Sequence, residues 1–445
     1  IFFSPHDSKK LYTTSQHVHV TRDEGQSWEL ISPDLTRNDP TTLGPSGGPI
    51  TKDNTGVEYY GTIFAAVESP LEEGLIWTGS DDGLVHVSKN GGDTWENVTP
   101  KKMPEWMMIN SIEVDPFDKG KAYIAGTLYK KGDYQPYLYK TDDYGKSWEK
   151  ITDGIPNEYF TRVLRADPKR KGLLYAGTEK GMFISFNYGK TWTSFQLNLP
   201  IVPITDLAWK EDNLIAATQG RSFWLIDDLT PLHQIEENSI DQDLILYDIK
   251  SAYRMSGSSR PVSRTKGQNY SGGVGINYYL KDLKETDTIS LKFSDSQGET
   301  IQVFSNFPNK KLDERSLSAK AGSNRFTWDM MYSGAERFEG MILWWASLDG
   351  PMAIPGDYKL TLAVNGQEET KDFEILIDPR SESSLEGMQE QFDFIIEVRD
   401  ELTRVHKSIK EIRTIRKQIK GLNTKLQSDD KYEDEADLAD SIIAS

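Results

Sequence analysis

Three short stretches of this sequence set a carboxylate beside aromatic rings: Glu58-Tyr59-Tyr60, Glu105-Trp106 and Glu158-Tyr159-Phe160. A carboxylate accepts hydroxyl or amide protons while a ring offers an apolar face, so the pairing suits a groove for a carbohydrate or a peptide. The plainer alternative is that the rings wedge between structural layers and the acids are simply solvated. Further polar groups stand at Gln16-His17, Asp81-Asp82, Glu179-Lys180, Gln219 and Arg221. Glycoside hydrolysis needs two carboxyl groups roughly 5 to 10 Å apart, one of them with a raised pKa. Asp81, Asp82, Glu58, Glu105 and Glu179 are the catalytic candidates, and nothing in the sequence selects a pair. His17 and His19 are two apart on a predicted strand and point the same way, but no third ligand is identifiable, so no metal site is assigned and no cofactor is expected.

The elements that must position these residues come from a repeat. Thr21–Trp28 (TRDEGQSW), Ser88–Trp95 (SKNGGDTW), Thr141–Trp148 (TDDYGKSW) and Ser185–Trp192 (SFNYGKTW) share the pattern Ser/Thr-x-Asp/Asn-x-Gly-x-Ser/Thr-Trp. Trp-to-Trp steps of 67, 53 and 44 residues match a propeller blade with insertions between units. Each copy reads as a hairpin tip. Asp23, Asn90, Asp143 and Asn187 accept from turn amides, the Gly two residues on supplies positive φ, and Trp28, Trp95, Trp148 and Trp192 open the next strand and pack between sheets. These eight residues are structural in this reading. Two strands precede each box, and before them lies a strand ending in Pro (IFFSP, AAVESP, SIEVDP, RVLRADP).

A fifth unit, from VPITDLAWK to WLIDDLTPL, keeps the strands and loses the box. The fold expected is therefore mainly β: an incomplete ring of at least five blades over residues 1–235, with further blades expected before Ile1. The boxes join the third and fourth strands. The second-to-third turns and the connections between blades fall on the opposite face, which gathers Asp81, Asp82, Glu179, Arg221 and the three carboxylate-aromatic stretches. Glu58, Tyr59, Trp106, Tyr159 and Arg221 are the ligand-binding candidates. The Pro- and Gly-rich insertion from Pro33 to Gly61 hangs on that face and is the candidate lid.

Residues 236–273 read as a linker or strap, since Met255–Gly273 is rich in Ser, Gly and basic residues. Six or seven short strands over 274–380, separated by turn signals such as PGD and NGQ, predict an antiparallel β-sandwich of immunoglobulin or fibronectin type. Over 381–428 a capping box at Ser383 and Glu386 opens a long helix, with Ile395, Val398, Leu402, Val405, Ile409 and Ile412 at coiled-coil spacing. Such a seam needs a partner helix, from beyond Ser445 or from another chain. Between Arg399 and Lys425 nine basic residues stand against three acidic ones, and an acidic tail is expected over 429–445.

The formal charge of −18 works against nucleic acid and anionic lipid as partners. No apolar run reaches the ~20 residues of a membrane helix, so no membrane insertion is expected. The absence of cysteine excludes disulfides and thiolate chemistry.

The boxes resemble the Asp-box, or bacterial neuraminidase repeat, of sialidases, xyloglucanase-type glycosidases and the sortilin propeller. The phrases SPHD, GSDDGLVHVS, GTEKG and GRSFWLIDDLTPL are similar to exported proteins of Bacteroidetes and relatives that carry the labels "glycosyl hydrolase" or "sortilin-like". The resemblance extends to about Arg380. It implies an exported protein, periplasmic, cell-surface or secreted, with any export signal upstream of Ile1. Sialidase chemistry would need an arginine cluster, and only Arg162 and Arg221 fall near the binding face. Xyloglucanase-like enzymes set their acids between two propellers, so this chain would hold half a site. The function expected is a scaffold that binds a glycan or peptide and is tethered to a larger assembly, with the C-terminal helix as a possible protein-binding element. The alternatives are a glycoside hydrolase whose site is shared with upstream blades and a structural subunit of a surface complex.

Overall fold

The computed structural model describes residues 1–45, 60–236, 239–255, 257, 267, 272–309, 314–427, 431 and 433–444, so the candidates Glu58 and Tyr59 lie outside the described residues. The chain divides into two units, Ile1–Leu229 and Thr230–Ser445.

In the first unit, short strands with both faces apolar alternate with tight turns, and they pair in chain order. The sheets are β1 (Phe2–Phe3), β2 (Leu11–Thr14), β3 (Val18–Thr21) and β4 (Glu29–Leu30); then β5 (Ile63–Glu68), β6 (Ile76–Ser80), β7 (Val85–Ser88) and β8 (Glu96–Asn97). The third is β9 (Met108–Val114), β10 (Ala122–Leu128), β11 (Asp133–Thr141) and β12 (Glu149–Lys150). The fourth is β13 (Thr161–Ala166), β14 (Leu174–Thr178), β15 (Gly181–Ser185) and β16 (Thr193–Ser194). The fifth has three strands, β17 (Ile204–Lys210), β18 (Asn213–Thr218) and β19 (Phe223–Ile226). All pairings within them are antiparallel, and β5, β9, β13 and β17 touch in succession. These are successive blades of a β-propeller.

Side chains alternate across each blade, so both faces need cover, and each apolar cluster straddles two blades. Tyr12, Val18 and Val20 of the first meet Ile63 and Ile76 of the second. Trp77, Val85 and Val87 of the second meet Ile109, Ile124 and Tyr139 of the third. Tyr123 and Leu138 of the third meet Leu164, Leu174 and Phe183 of the fourth.

The hairpin tips close as their residue types require. Asp23 Oδ1 accepts from the Ser27 amide at 2.9 Å and Oδ2 from the Ser27 hydroxyl at 2.6 Å; Asp143 does the same with Ser147. Asn90 and Asn187 accept from the amides of Thr94 and Thr191 at 3.0 Å. The bonds from Ser27, with help from Thr21, hold the Asp23 carboxyl down at about 2. Each later tryptophan also reaches back one blade. Trp95, Trp148 and Trp192 donate their indole N–H to the carbonyls of Ile31, Val98 and Ile151 at 2.9, 2.7 and 2.8 Å. Trp28 does not share the expected packing between sheets, being 41% exposed.

The second unit begins with α1 (Thr230–Gln234). Residues 236–273, expected to form a linker, instead supply β20 (Leu244–Leu246) and β21 (Ala252–Tyr253), with Leu244, Leu246 and Ala252 in the core. Their apolar residues find a sheet to join, which the polar composition around them conceals. β22 (Val274–Leu280), β23 (Ile289–Asp295), β24 (Thr300–Ser305), β25 (Arg315–Ser316), β26 (Gly322–Trp328), β27 (Gly356–Val364) and β28 (Gln367–Leu376) complete two sheets. Their orders are β20-β22-β26 and β21-β28-β27-β23-β24-β25, with one shared core in which Phe293 stacks on Trp328 at 4.4 Å. The pairs β21-β28 and β24-β25 are parallel, unlike the all-antiparallel sandwich expected.

The helix α2 (Leu385–Leu426) is capped by Ser384, whose hydroxyl accepts from the Gly387 amide at 3.1 Å, so the cap is one residue later than Ser383. The stretch expected as an acidic tail contains α3 (Glu433–Ala444), which folds back on α2: Arg416 donates to the Ile443 carbonyl at 2.8 Å and Asn423 to Asp440 at 2.6 Å. The expected seam divides. Ile395, Leu402 and Ile409 are half-buried, while Val398, Val405 and Ile412 are exposed. Tyr332, Glu336 and Phe338 meet the same helix through Phe392, Thr403 and His406. Among the described residues, no helix is long and apolar enough to cross a membrane.

Candidate ligand-binding face

Three connections of the first unit converge on Trp106, which stands on a fourth, between β8 and β9. The turn between β6 and β7 carries Asp81, Asp82 and Gly83; Gly83 has φ +91°, and a Cβ there would lie 3.0 Å from the Met107 amide nitrogen. Only glycine lets this turn abut the backbone beside Trp106. Arg37, from the first interblade connection, is pinned to the same turn: its amide donates to Asp82 Oδ2 and its Nε to the Asp82 carbonyl, both at 2.7 Å. That places its guanidinium 5.0 Å from the centre of the Trp106 ring. Lys131, in the short 3-10 turn Tyr129–Lys131 after β10, lies 5.7 Å from the same ring, and Tyr60 meets it edge-on at 6.2 Å. Lys130 stands 5.5 Å from Tyr60. Trp106 itself holds φ +65°, a conformation non-glycine residues adopt at a cost.

A second cluster continues from Tyr129, which stacks on Phe160 at 5.2 Å, with Tyr134 at 6.1 Å and the Arg162 guanidinium 5.2 Å from the Phe160 ring. Tyr159 packs edge-on to Phe183 at 5.9 Å and carries Lys180 at 5.0 Å. Phe160 is buried and Tyr159 packs against the cluster between the third and fourth blades, while cations stand within 5.7 Å of the Trp106, Phe160 and Tyr159 ring centres.

The catalytic candidates are placed unevenly. Asp81 Oδ1 accepts from the Gly61 and Thr62 amides, both at 2.9 Å. Burial pushes its carboxyl above the ordinary value, and those two amides oppose the rise. Asp82 is buried and accepts from the Ser80 hydroxyl at 2.5 Å and the Arg37 amide. Glu179 is paired with Arg162, 2.7 Å to Nε and 2.6 Å to Nη2. Glu105 is exposed beside Trp106. Arg221 lies in the β18–β19 turn of the fifth blade, where it donates to the carbonyl of its neighbour Gly220 at 3.0 Å. His17 donates from Nδ1 to the Ser32 carbonyl at 3.2 Å, and His19 bonds Ser15 at 3.3 Å.

One titratable network has no signature in the sequence. Arg165 on β13 bonds Asp206 on β17 at 2.7 Å and Ser111 on β9 at 2.8 Å, and lies 3.5 Å from Glu113 on β9. Burial pushes the Glu113 carboxyl up to about 7, Arg165 opposing it. Arg165 is more than forty residues from each of these partners and meets them only because the first strands of three blades are neighbours. At the opposite edge, Asp115, Phe117, Lys119, Lys121, Lys171 and Tyr188 line a concavity, but Lys119 is paired with Glu72 at 3.1 Å and Lys121 with Asp142 at 3.6 Å.

No protein-family model matches the chain. It is similar to xyloglucanase Xgh74A of Acetivibrio thermocellus, 28% identical over 150 residues that make 31% of this chain and 18% of that protein. The oligoxyloglucan-reducing end-specific xyloglucanase of Emericella nidulans is 29% identical over 111 residues, 24% of this chain and 13% of that one. The chain thus spans less than a fifth of the length of these curated relatives. Among solved structures, a GH74 xyloglucanase from Xanthomonas campestris aligns with a TM-score of 0.40 at 14% identity, over 64% of this chain and 48% of that one. The GH74 enzyme of Niastella koreensis aligns with a TM-score of 0.38 at 12% identity, over 83% and 55%.

Proposed function

We propose that the first unit is a non-catalytic binding propeller, of Asp-box type, whose second-to-third-turn face takes a glycan or a peptide. The observation that carries this reading is the state of its carboxylates. Asp81, Asp82 and Glu179 are occupied by amides, a hydroxyl and Arg162, whereas hydrolysis asks for one carboxyl free to protonate a leaving group and a second facing it. The second unit is the part that joins the propeller to a larger exported assembly, with Val398, Val405 and Ile412 at helix-pairing spacing on its surface.

The likeness to xyloglucanases favours one second reading, a glycoside hydrolase that holds half a site here, with Glu105 as its exposed carboxylate. The two separate on glycan and peptide arrays probed with the full chain and with Trp106→Ala and Tyr159→Ala, each glycan hit being assayed for reducing-sugar release. Binding lost in both variants without release supports the scaffold. Release abolished by Glu105→Gln or Asp82→Asn makes it a hydrolase, and no binding leaves a structural subunit.

A further inference from the structure

We propose that copies of this chain associate head to tail, the side of the fifth blade that carries Phe223 and Leu225 taking the first blade of another copy at Phe3. The proposal goes beyond the reading of the Trp106 face and does not rest on it.

The blades are copies of one another, so each tells what should cover the next. The third strand ends at Thr21, Ser88, Thr141, Ser185 and Ile226 in the five blades. One residue back stand Val20, Val87, Lys140, Ile184 and Leu225; three back stand Val18, Val85, Leu138, Met182 and Phe223. In the first four blades all eight of these residues are buried. Val18 and Val20 meet Ile63 and Ile76 of the second blade, Val85 and Val87 meet Ile109 and Ile124 of the third, and Leu138 meets Leu164 and Leu174 of the fourth. These positions therefore face the following blade. In the fifth blade Phe223 is 75% exposed and Leu225 58%. Apolar side chains chosen for a blade interface stand bare there.

The matching half lies on the first blade. The first strand ends at Phe3, Glu68, Val114 and Ala166 in the first four blades. Val114 and Ala166 are buried in the clusters shared with the preceding blade, and Glu68 is buried with Lys10 of the first blade 3.9 Å away. Phe3, at the same position, is 62% exposed. Trp28 is the box tryptophan of that blade and is half-exposed, where its three counterparts donate to a carbonyl of the preceding blade. One chain thus carries both halves of the junction that it builds between its own blades. The halves differ, so the contact joins unlike faces rather than pairing one face with itself. It is apolar, while each copy carries −18, so screening of the mutual repulsion should strengthen it.

The test is sedimentation velocity of the full chain from about 1 to 100 µM, the weak end of specific interfaces. The average mass should rise above the monomer's with concentration, and more so at about 300 than at about 50 mM NaCl. Phe3→Glu and the double variant Phe223→Glu/Leu225→Glu should each weaken association at least about tenfold, because each puts a carboxylate into an apolar contact. Mixed in equal amounts, the two variants should form a 1:1 dimer and nothing larger, since each keeps one intact face and the faces are complementary. Trp344→Ser/Trp345→Ser removes two exposed rings of the second unit and should associate as the parent does. Unchanged thermal melting checks that the variants fold. A parent chain that stays monomeric overturns the proposal and leaves the two faces to a blade of another polypeptide. Association lost in the tryptophan variant instead, undiminished in either propeller variant alone, or not restored by mixing them also overturns it.

Discussion

The indole N–H of Trp148 donates to the carbonyl of Val98 at 2.7 Å, tying the third blade to the second. Trp95 and Trp192 make the same bond one blade earlier and one later. Trp148→Phe keeps an aromatic body and leaves the Val98 carbonyl without this donor, so unfolding in urea should lose about 1–2 kcal/mol. Trp28→Phe should cost less than about 0.5 kcal/mol, as for other half-exposed sites. Equal losses at the two positions would contradict the blade-to-blade role.

Gly154 sits at φ +93°, and a Cβ there would lie 2.1 Å from the carbonyl oxygen of Trp192. The obstacle is backbone and cannot rotate away. Gly154→Ala should destabilise the first unit by more than about 2 kcal/mol, against about 1 kcal/mol for Gly366→Ala, where φ is also positive but the space is open. Comparable melting temperatures for the two variants would refute the steric account.

The pH dependence of stability should report Glu113. Its carboxyl, raised to about 7 by burial, binds a proton more strongly in the native than in the unfolded chain. The native state is therefore favoured below the ordinary glutamate value of 4.5, and stability falls as pH rises from there to about 7, by at most about 1.4 kcal/mol per pH unit. Glu113→Gln should flatten that slope. Parallel urea-midpoint profiles for the variant and parent between these limits would show that the carboxyl does not titrate so.

His406 is buried, bonds the Glu336 carbonyl through Nδ1 at 2.6 Å and meets the Phe338 ring at 5.2 Å. His406→Ala removes both contacts, and amide hydrogen exchange across α2 from Ile395 to Ile412 should accelerate by about tenfold or more, the equivalent of at least 1.4 kcal/mol. Unchanged exchange there would mean that the helix is held by other contacts.

The four hairpin tips were legible from residue types alone. An Asp or Asn followed at fixed offsets by Gly and Ser/Thr closes its own turn through bonds spanning four residues, so no distant contact has to be known. The strands beside them were legible for a similar reason, since apolar alternation is local. The parallel pair β21-β28 was not, because pairing partners more than a hundred residues apart, such as Ala252 and Ile375, leave no mark on either segment. Nor was the burial of Leu244 and Leu246 beneath a polar stretch, or α3, whose seven flanking and internal acids read as a tail until Arg416 and Asn423 are seen beside it.

The candidate face divides in the same way. The sequence by itself determined that Glu105-Trp106 and Glu158-Tyr159-Phe160 would fall on interblade connections opposite the boxes, because strand order follows from the repeat. Only the tertiary structure decided that Asp81 and Asp82 bond to backbone amides, that Arg37 lies over Trp106, and that Glu113, Arg165 and Asp206 meet. Hydrogen bonds, cation–ring contacts and burial act over a few ångströms between residues tens of positions apart, and the packing of blade on blade is what sets those distances.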